Sequence, residues 1–255
     1  MILGIDIGNS NVMFGGIDEH GVKFREVMAT DLNRTEIEYA IDLKTALEIF
    51  GISPESLEGC IIASVVPQIT GVLRSSIYKL TGIRAKVVGP GLRTGLDIRL
   101  DDPATLGSDL LVDSVAAVAE NPVPIILVDI GTATTICVVN EKRQYVGGVV
   151  MTGVRTGLNS LVTNTSLLQQ ISLEPPKKLI GSNTIDAMKS GMIYGHAAML
   201  DGMIDRIEEE MGVSCTLVAT GFPADKIIPF CRHRIHIDED LMLKGLKIIY
   251  EKNKN

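Results

Sequence analysis

The tripeptide Asp-Ile-Gly closes an apolar run twice in this 255-residue chain, at Asp6 to Gly8 and at Asp129 to Gly131, 123 positions apart. Each copy ends a strand pattern and opens two further strand patterns, with helical spacing after them. Such a repeat points to an internal duplication. A carboxylate at the end of a buried strand is costly unless something pairs with it. A glycine two residues on lets the backbone approach a ligand. Short polar residues follow: Asn9, Ser10 and Asn11 in the first copy; Thr132, Thr134 and Thr135 in the second. They offer donors to phosphate oxygens without bulk. A turn rich in N–H groups can cradle phosphates, and an aspartate beside it can hold Mg²⁺ through water. One Asp-x-Gly alone is more often a plain turn. Two at matched places in similar halves favour a nucleotide site. The chain has no P-loop and no G-x-G-x-x-G after its first strand.

The pattern predicts an α/β fold of two mixed sheets flanked by helices, divided into halves 1–120 and 121–255 with a ligand cleft between them. Strands are expected at 2–7, 12–17, 22–28, 60–66 and 85–88, then again at 125–128, 134–140, 144–151 and 215–219. Helices are expected at 35–50, 67–80, 108–120, 153–168, 183–211 and 239–252, the last capped by Asp238. In the first helix Ile37, Ala40, Ile41, Leu43, Leu47 and Ile49 make the expected apolar face. Residues 92–106 read as irregular, and 251–255 as a charged, frayed end.

The net charge of -7 argues against nonspecific nucleic-acid binding. No apolar run approaches the roughly 18 residues of a membrane span. The N-terminus enters a strand pattern without a basic n-region, so no signal peptide is expected. Cys60, Cys137, Cys215 and Cys231 form no C-x-x-C pair and read as thiols of a reducing compartment. The expected location is cytoplasmic. His233 and His236 read as a strand face rather than a zinc site, and His196 as a satisfied helix histidine.

The chain resembles the type III pantothenate kinases, of the acetate and sugar kinase/Hsp70/actin superfamily, from about residue 2 to residue 250. The matching segments are Asp6 to Ser10 with Gly15, Gly89-Pro90-Gly91 with Thr94-Gly95, Asp102-Pro103, Gly107-Ser108-Asp109, Asp129 to Thr135, Gly147-Gly148, Ile180 to Thr184, Ser190-Gly191 with Tyr194-Gly195, Asp201-Gly202, and Leu243 with Gly245-Leu246. The resemblance implies a homodimer of duplicated ribonuclease-H-like subunits. It implies ATP-dependent phosphorylation of pantothenate, with Mg²⁺ and a monovalent cation, K⁺ or NH₄⁺. Carried over, Asp6, Ile7, Gly8, Asn9, Ser10, Asn11, Val12, Met13 and Thr132 hold ATP, with Asp6 near Mg²⁺. Gly107, Ser108, Asp109, Leu110 and Thr184 bind pantothenate. Asp109 is the general base, and Asp129 holds the monovalent cation. From the residues alone, Asp109 reads more readily as a helix cap than as a catalytic group.

Three positions depart from the family pattern. Leu110 stands where an arginine is usual, Thr152 where a proline is usual, and Phe222 where a glycine is usual. Arg93, Arg99 and Arg155 are candidate replacement cations, with solvated surface charge as the plainer reading. The departures keep two alternatives open: a homologue that binds ligand without turnover, in a regulatory or accessory role, and a kinase for another small hydroxyl substrate.

Overall fold

The computed structural model describes residues 1–254. They form two compact units. One comprises Met1–Leu96, Asp101–Ala119 and the chain from Asp240 onward; the other comprises Asp97–Leu100 and Glu120–Glu239.

The first unit opens with a meander: β1 (Ile2–Ile7), β2 (Asn11–Asp18) and β3 (Gly21–Ala29). Then come α1 (Glu36–Ile49), β4 (Gly59–Ser64), α2 (Pro67–Thr81) and β5 (Lys86–Val87). The sheet order is β3-β2-β1-β4-β5, with β1, β2 and β3 antiparallel and β1, β4 and β5 parallel. Period-two alternation sends Leu3, Ile5 and Ile7 to one face, against Tyr39, Leu43 and Leu47 of α1 and Ile69, Leu73 and Ile77 of α2. The second unit begins with the short strand β6 (Asp97–Ile98); the chain then returns to the first unit for α3 (Ser108–Glu120) up to Ala119. The helix that ends the chain, from Leu241 to Lys252, covers the other face of the first sheet through Leu243, Leu246 and Ile249. Leu243 is fully buried, and its methyl groups fill the space above Gly15 and Gly4. Truncating such a side chain to alanine costs about 2–5 kcal/mol.

The second unit repeats the plan with β7 (Ile125–Ile130), β8 (Ala133–Val139), β9 (Gln144–Thr152), α4 (Val154–Thr163), α5 (Thr184–Ser190), α6 (His196–Met211), β10 (Thr216–Gly221), α7 (Ala224–Ile227) and β11 (His236–Ile237). The terminal helix is α8. The sheet order is β11-β10-β7-β8-β9-β6: an antiparallel meander of β7, β8 and β9, with β10 and β11 added parallel to β7. Ile126, Val128 and Ile130 pack against Ala197, Leu200 and Ile204 of α6.

The structure corrects several expectations. In α1 the buried side chains are Tyr39, Ala40, Leu43, Ala46 and Leu47, while Ile37, Ile41 and Ile49 are exposed. The helix carries two apolar stripes, and Tyr39 fixes the buried one by donating its hydroxyl to the Asp31 carbonyl at 2.9 Å. The stretch 92–106 contains β6, paired parallel to β9. Helix α4 stops at Thr163, where Asn164 and Thr165 turn their side chains back onto the Ser160 and Leu161 carbonyls. The long helix expected at 183–211 is interrupted by a π turn over Gly191–Gly195. Asp238 does not cap α8: its amide extends the sheet by donating to the Ala219 carbonyl at 2.8 Å, and Asp240 takes the N-cap position. Of the charged end expected at 251–255, Glu251 and Lys252 are the last residues of α8, and Asn255 lies outside the described residues. No helix among the described residues is long and apolar enough to cross a membrane.

Candidate active site

In the first unit the Asp6 turn is a closed hairpin. The Gly8 amide donates to the Asn11 carbonyl at 2.9 Å. Thr30, just past β3, holds the same turn: its hydroxyl donates to the Gly8 carbonyl at 2.6 Å, and its amide to the Ser10 carbonyl at 3.0 Å. Asn9, Ser10 and Asn11 are exposed, while Asp6, Gly8 and Met13 are half-buried. The side chains of Ile7 and Val12 are fully buried in the core, which leaves only their backbone groups for a ligand.

Asp109 is brought to the same end of this sheet. The strand pairing sets Ile7 of β1 beside Ser64 of β4. Ser64 in turn exchanges two hydrogen bonds with Ser108, the first residue of α3. The start of α3 is thereby pinned one strand away from the Asp6 turn. Asp109 is half-buried, and its Oδ1 accepts the Leu110 amide at 2.9 Å. A Cβ on Gly107 would sit 2.4 Å from that oxygen, so only glycine leaves the carboxylate its place. Leu110 is half-buried and brings no charge to this position.

In the second unit the Asp129 turn is one residue shorter. Residues 131–133 link the paired Ile130 and Thr134, whereas 8–11 link the paired Ile7 and Val12. The neighbours differ too. Asp6 stands opposite Met13 and Ala63; Asp129 stands opposite Thr135 and Thr220. Directly paired residues share a face, so Asp129 lies in a polar row between two threonines. Thr220 is buried, and the Thr135 hydroxyl is shielded from solvent with no hydrogen-bond partner among the described residues. Two hydroxyl oxygens and a carboxylate in a row are the oxygen donor set that suits a hard cation, and the orphaned Thr135 hydroxyl fits such a guest. Thr134, counted among the phosphate donors on sequence grounds, points to the opposite face and is buried in the core. A strand turns alternate residues away from each other.

Around this turn, Thr156 donates its hydroxyl to the Thr132 carbonyl at 2.6 Å, and Gly153 lies against the same carbonyl. Gly221 has φ +85°, and a Cβ there would meet Asp129 Oδ1 at 2.4 Å. Phe222 follows, with the Arg155 guanidinium 4.6 Å from its ring centre. Thr132 is exposed, as is Thr184 in the first turn of α5, where Asn183 caps the helix by accepting the Asp186 amide at 2.9 Å. Asp201 serves the fold, since its carboxylate accepts the Arg232 amide at 2.9 Å and the His233 amide at 3.2 Å. His233 bonds Asp205 at 2.7 Å, and His196 bonds the Met192 carbonyl at 2.7 Å. Arg99 pairs with Asp97 at 2.8 Å, and the Arg93 amide donates to Asn253.

Sequence reasoning passed over Ser64, Thr220 and the pairing of Arg155 with Phe222. Ser64 carried no signal, being one serine at a strand end. Thr220 was visible only as the first residue of Thr220-Gly221-Phe222, the segment marked by the departure at Phe222.

The sequence matches the type III pantothenate kinase family model over residues 2–206. A type III pantothenate kinase of Exiguobacterium sp. is 39% identical over 254 residues, covering 100% of each chain. One from Brevibacillus brevis is 38% identical over 257 residues, again covering 100% of each. Among solved structures, the (R)-2-hydroxyglutaryl-CoA dehydratase component A of Acidaminococcus fermentans superposes with a TM-score of 0.58 at 13% identity, over 100% of this chain and 99% of its own. That likeness concerns the fold alone, two mixed sheets flanked by helices. On its full-length identity to these kinases and on the family match, the chain belongs to the type III pantothenate kinase family.

Proposed function

We propose that this chain carries out the reaction of its family, ATP-dependent phosphorylation of pantothenate to 4'-phosphopantothenate in coenzyme A biosynthesis, with Asp109 as the general base. The observation that supports the base assignment is the Ser64–Ser108 link, which holds the start of α3 beside the Asp6 turn. Phosphoryl transfer depends mainly on positioning and charge neutralisation. Asp109 orients the primary hydroxyl of pantothenate and takes its proton as the new P–O bond forms. The backbone of 107–110 lines the acceptor side, and Thr184 contacts pantothenate.

The turn of Asn9, Ser10 and Asn11, with Asp6 and Met13, receives the ATP phosphates, and Thr132 contributes from its own turn. Bound Mg²⁺ neutralises charge on the β- and γ-phosphates, and Asp6 would hold it through water. Asp129, with Thr135 and Thr220, would hold the monovalent cation. The two halves, 1–120 and 121–255, each contribute one Asp-Ile-Gly turn. The working form is a cytoplasmic homodimer.

The test uses purified protein with ATP, Mg²⁺, K⁺ and pantothenate, and follows phosphopantothenate. No product from the wild type ends the reading. Asp109→Asn is expected to lower kcat by about 10²- to 10⁴-fold with an unchanged melting temperature. A fully active Asp109→Asn ends the general-base assignment.

A further inference from the structure

Thr30 makes one hydrogen bond more to the Asp6 turn than its place in the sheet requires. The β2–β3 ladder ends with Asn11 opposite Ala29, and the Thr30 amide continues it by donating to the Ser10 carbonyl at 3.0 Å. Any residue but proline would make that bond. The Thr30 hydroxyl adds a second, to the Gly8 carbonyl at 2.6 Å. The peptide units of this turn are trans, and a trans unit points its C=O and N–H in opposite directions. Holding the Gly8 and Ser10 carbonyls against Thr30 therefore turns the Asn9 and Asn11 amides away from it. Thr30 is anchored in its turn by the next residue. Asp31 donates its amide to the hydroxyl of Tyr39 at 3.4 Å and accepts that hydroxyl at its carbonyl at 2.9 Å, and Tyr39 is fully buried in α1. The second unit repeats the device with different residues. There Gly153 follows the last β8–β9 pair, and a Cβ on it would sit 2.4 Å from the Thr132 carbonyl oxygen. Thr156 of α4 supplies the hydroxyl instead, donating to that carbonyl at 2.6 Å.

We propose that Thr30 is a positioning residue for the nucleotide: its hydroxyl fixes the Asp6 turn so that the Asn9 and Asn11 amides are set for phosphate oxygens before ATP arrives. The proposal rests on the kinase reading, because it takes the Asp6 turn as the phosphate site. Thr30 acts through the turn and not by contact with the ligand. Without the hydroxyl, the turn keeps its ladder bond to the Thr30 amide, but the Gly8–Asn9 peptide is free to rotate. The bound phosphates must then order it themselves, and that lowers affinity. The loss falls on the nucleotide and spares pantothenate.

The experiment is calorimetric titration of wild type, Thr30→Val, Thr30→Ala and Thr30→Ser with Mg·ATP. It is paired with KM values for ATP and pantothenate and with melting curves. Valine keeps the branched shape and the amide bond and removes only the hydroxyl; serine keeps the hydroxyl. Thr30→Val is expected to weaken Mg·ATP binding about 3- to 10-fold, the worth of one hydrogen bond. KM for ATP should rise in step, with KM for pantothenate within about twofold of wild type. Thr30→Ala should show the same loss, which keeps the comparison intact if the valine is poorly accommodated. Thr30→Ser should bind Mg·ATP within about twofold of wild type. Because Thr30 is only half-buried, its variants should melt within a few degrees of wild type. Mg·ATP affinity unchanged in Thr30→Val and Thr30→Ala overturns the positioning role alone. So does an equal rise in both KM values, or a serine variant as weak as the valine. A wild type that binds no Mg·ATP overturns the kinase reading and the positioning role with it.

Discussion

Ser64 and Ser108 exchange two hydrogen bonds: the Ser108 hydroxyl donates to the Ser64 carbonyl at 3.0 Å and accepts the Ser64 amide at 2.9 Å. This pair couples the end of a central strand to the start of the helix that carries Asp109. Ser108→Ala removes both bonds and leaves the chain otherwise intact. Small misplacement of a catalytic group costs up to about 10²-fold in rate. We expect kcat to fall about 10- to 100-fold, with KM for ATP within about threefold. Steady-state kinetics with each substrate varied in turn checks this. Wild-type kcat in Ser108→Ala would show that the serine pair has no bearing on Asp109.

Gly107 is tested by adding a single methyl group. In Gly107→Ala the new Cβ lies 2.4 Å from Asp109 Oδ1, while the Val65 side chain is 3.7 Å away. The carboxylate must therefore rotate, while the backbone has room to stay. The expected outcome is a kcat loss of about 10-fold or more with a melting temperature within a few degrees of wild type. A large drop in melting temperature instead would assign Gly107 to folding.

The cysteines give a prediction about reactivity. Burial and the Asp201 carboxylate push the Cys231 thiol up to about 12, burial pushes Cys60 up further, and burial with Glu208 raises Cys215. The thiolate is the reactive form, so these groups stay protonated and inert at neutral pH. Titration of native protein with a thiol reagent at about pH 7.5, below the ordinary thiol range, should show slow labelling of all three, made fast by denaturant. Rapid native labelling of Cys60 or Cys231 would contradict this.

The strand plan was legible because β1 and β7 are short, apolar and closed by the same tripeptide. Alternation and turn residues then placed β2, β3, β8 and β9 within a residue or two. The buried face of α1 was not legible. Ile37 and Ile41 follow helical spacing as well as Leu43 and Leu47 do, and only the sheet decides which stripe it covers. The candidate site could be proposed from sequence where a motif is contiguous, as in 6–11 and 107–110. It was illegible where it depends on strand register. Ser64 meets Ser108 across 44 positions, and nothing local distinguishes it from other serines. Alternation separates Thr134 from Thr135, yet it takes the pairing with Asp129 to show which of them faces the site.

Thr135 offers the most discriminating test of the second turn. Its hydroxyl is buried beside Asp129 with no hydrogen-bond partner among the described residues. An unsatisfied buried hydroxyl costs about 1–3 kcal/mol. Valine has nearly the same shape without the polar atom. If the hydroxyl merely sits unpaired, Thr135→Val should be more stable than wild type by about 1 kcal/mol, or about 2–4 °C in Tm, at every K⁺ concentration. If it ligates a monovalent cation, the gain should appear only without K⁺. Added K⁺ should then raise the wild-type Tm more than that of the variant, and half-maximal activation by K⁺ should need several-fold more salt in the variant. We expect the second pattern, because Thr220, Asp129 and Thr135 present three oxygen-bearing side chains on one face of adjacent strands. Melting curves in K⁺ and in a bulky organic cation of equal ionic strength separate the two patterns. Identical K⁺ responses in wild type and Thr135→Val would remove Thr135 from the cation site.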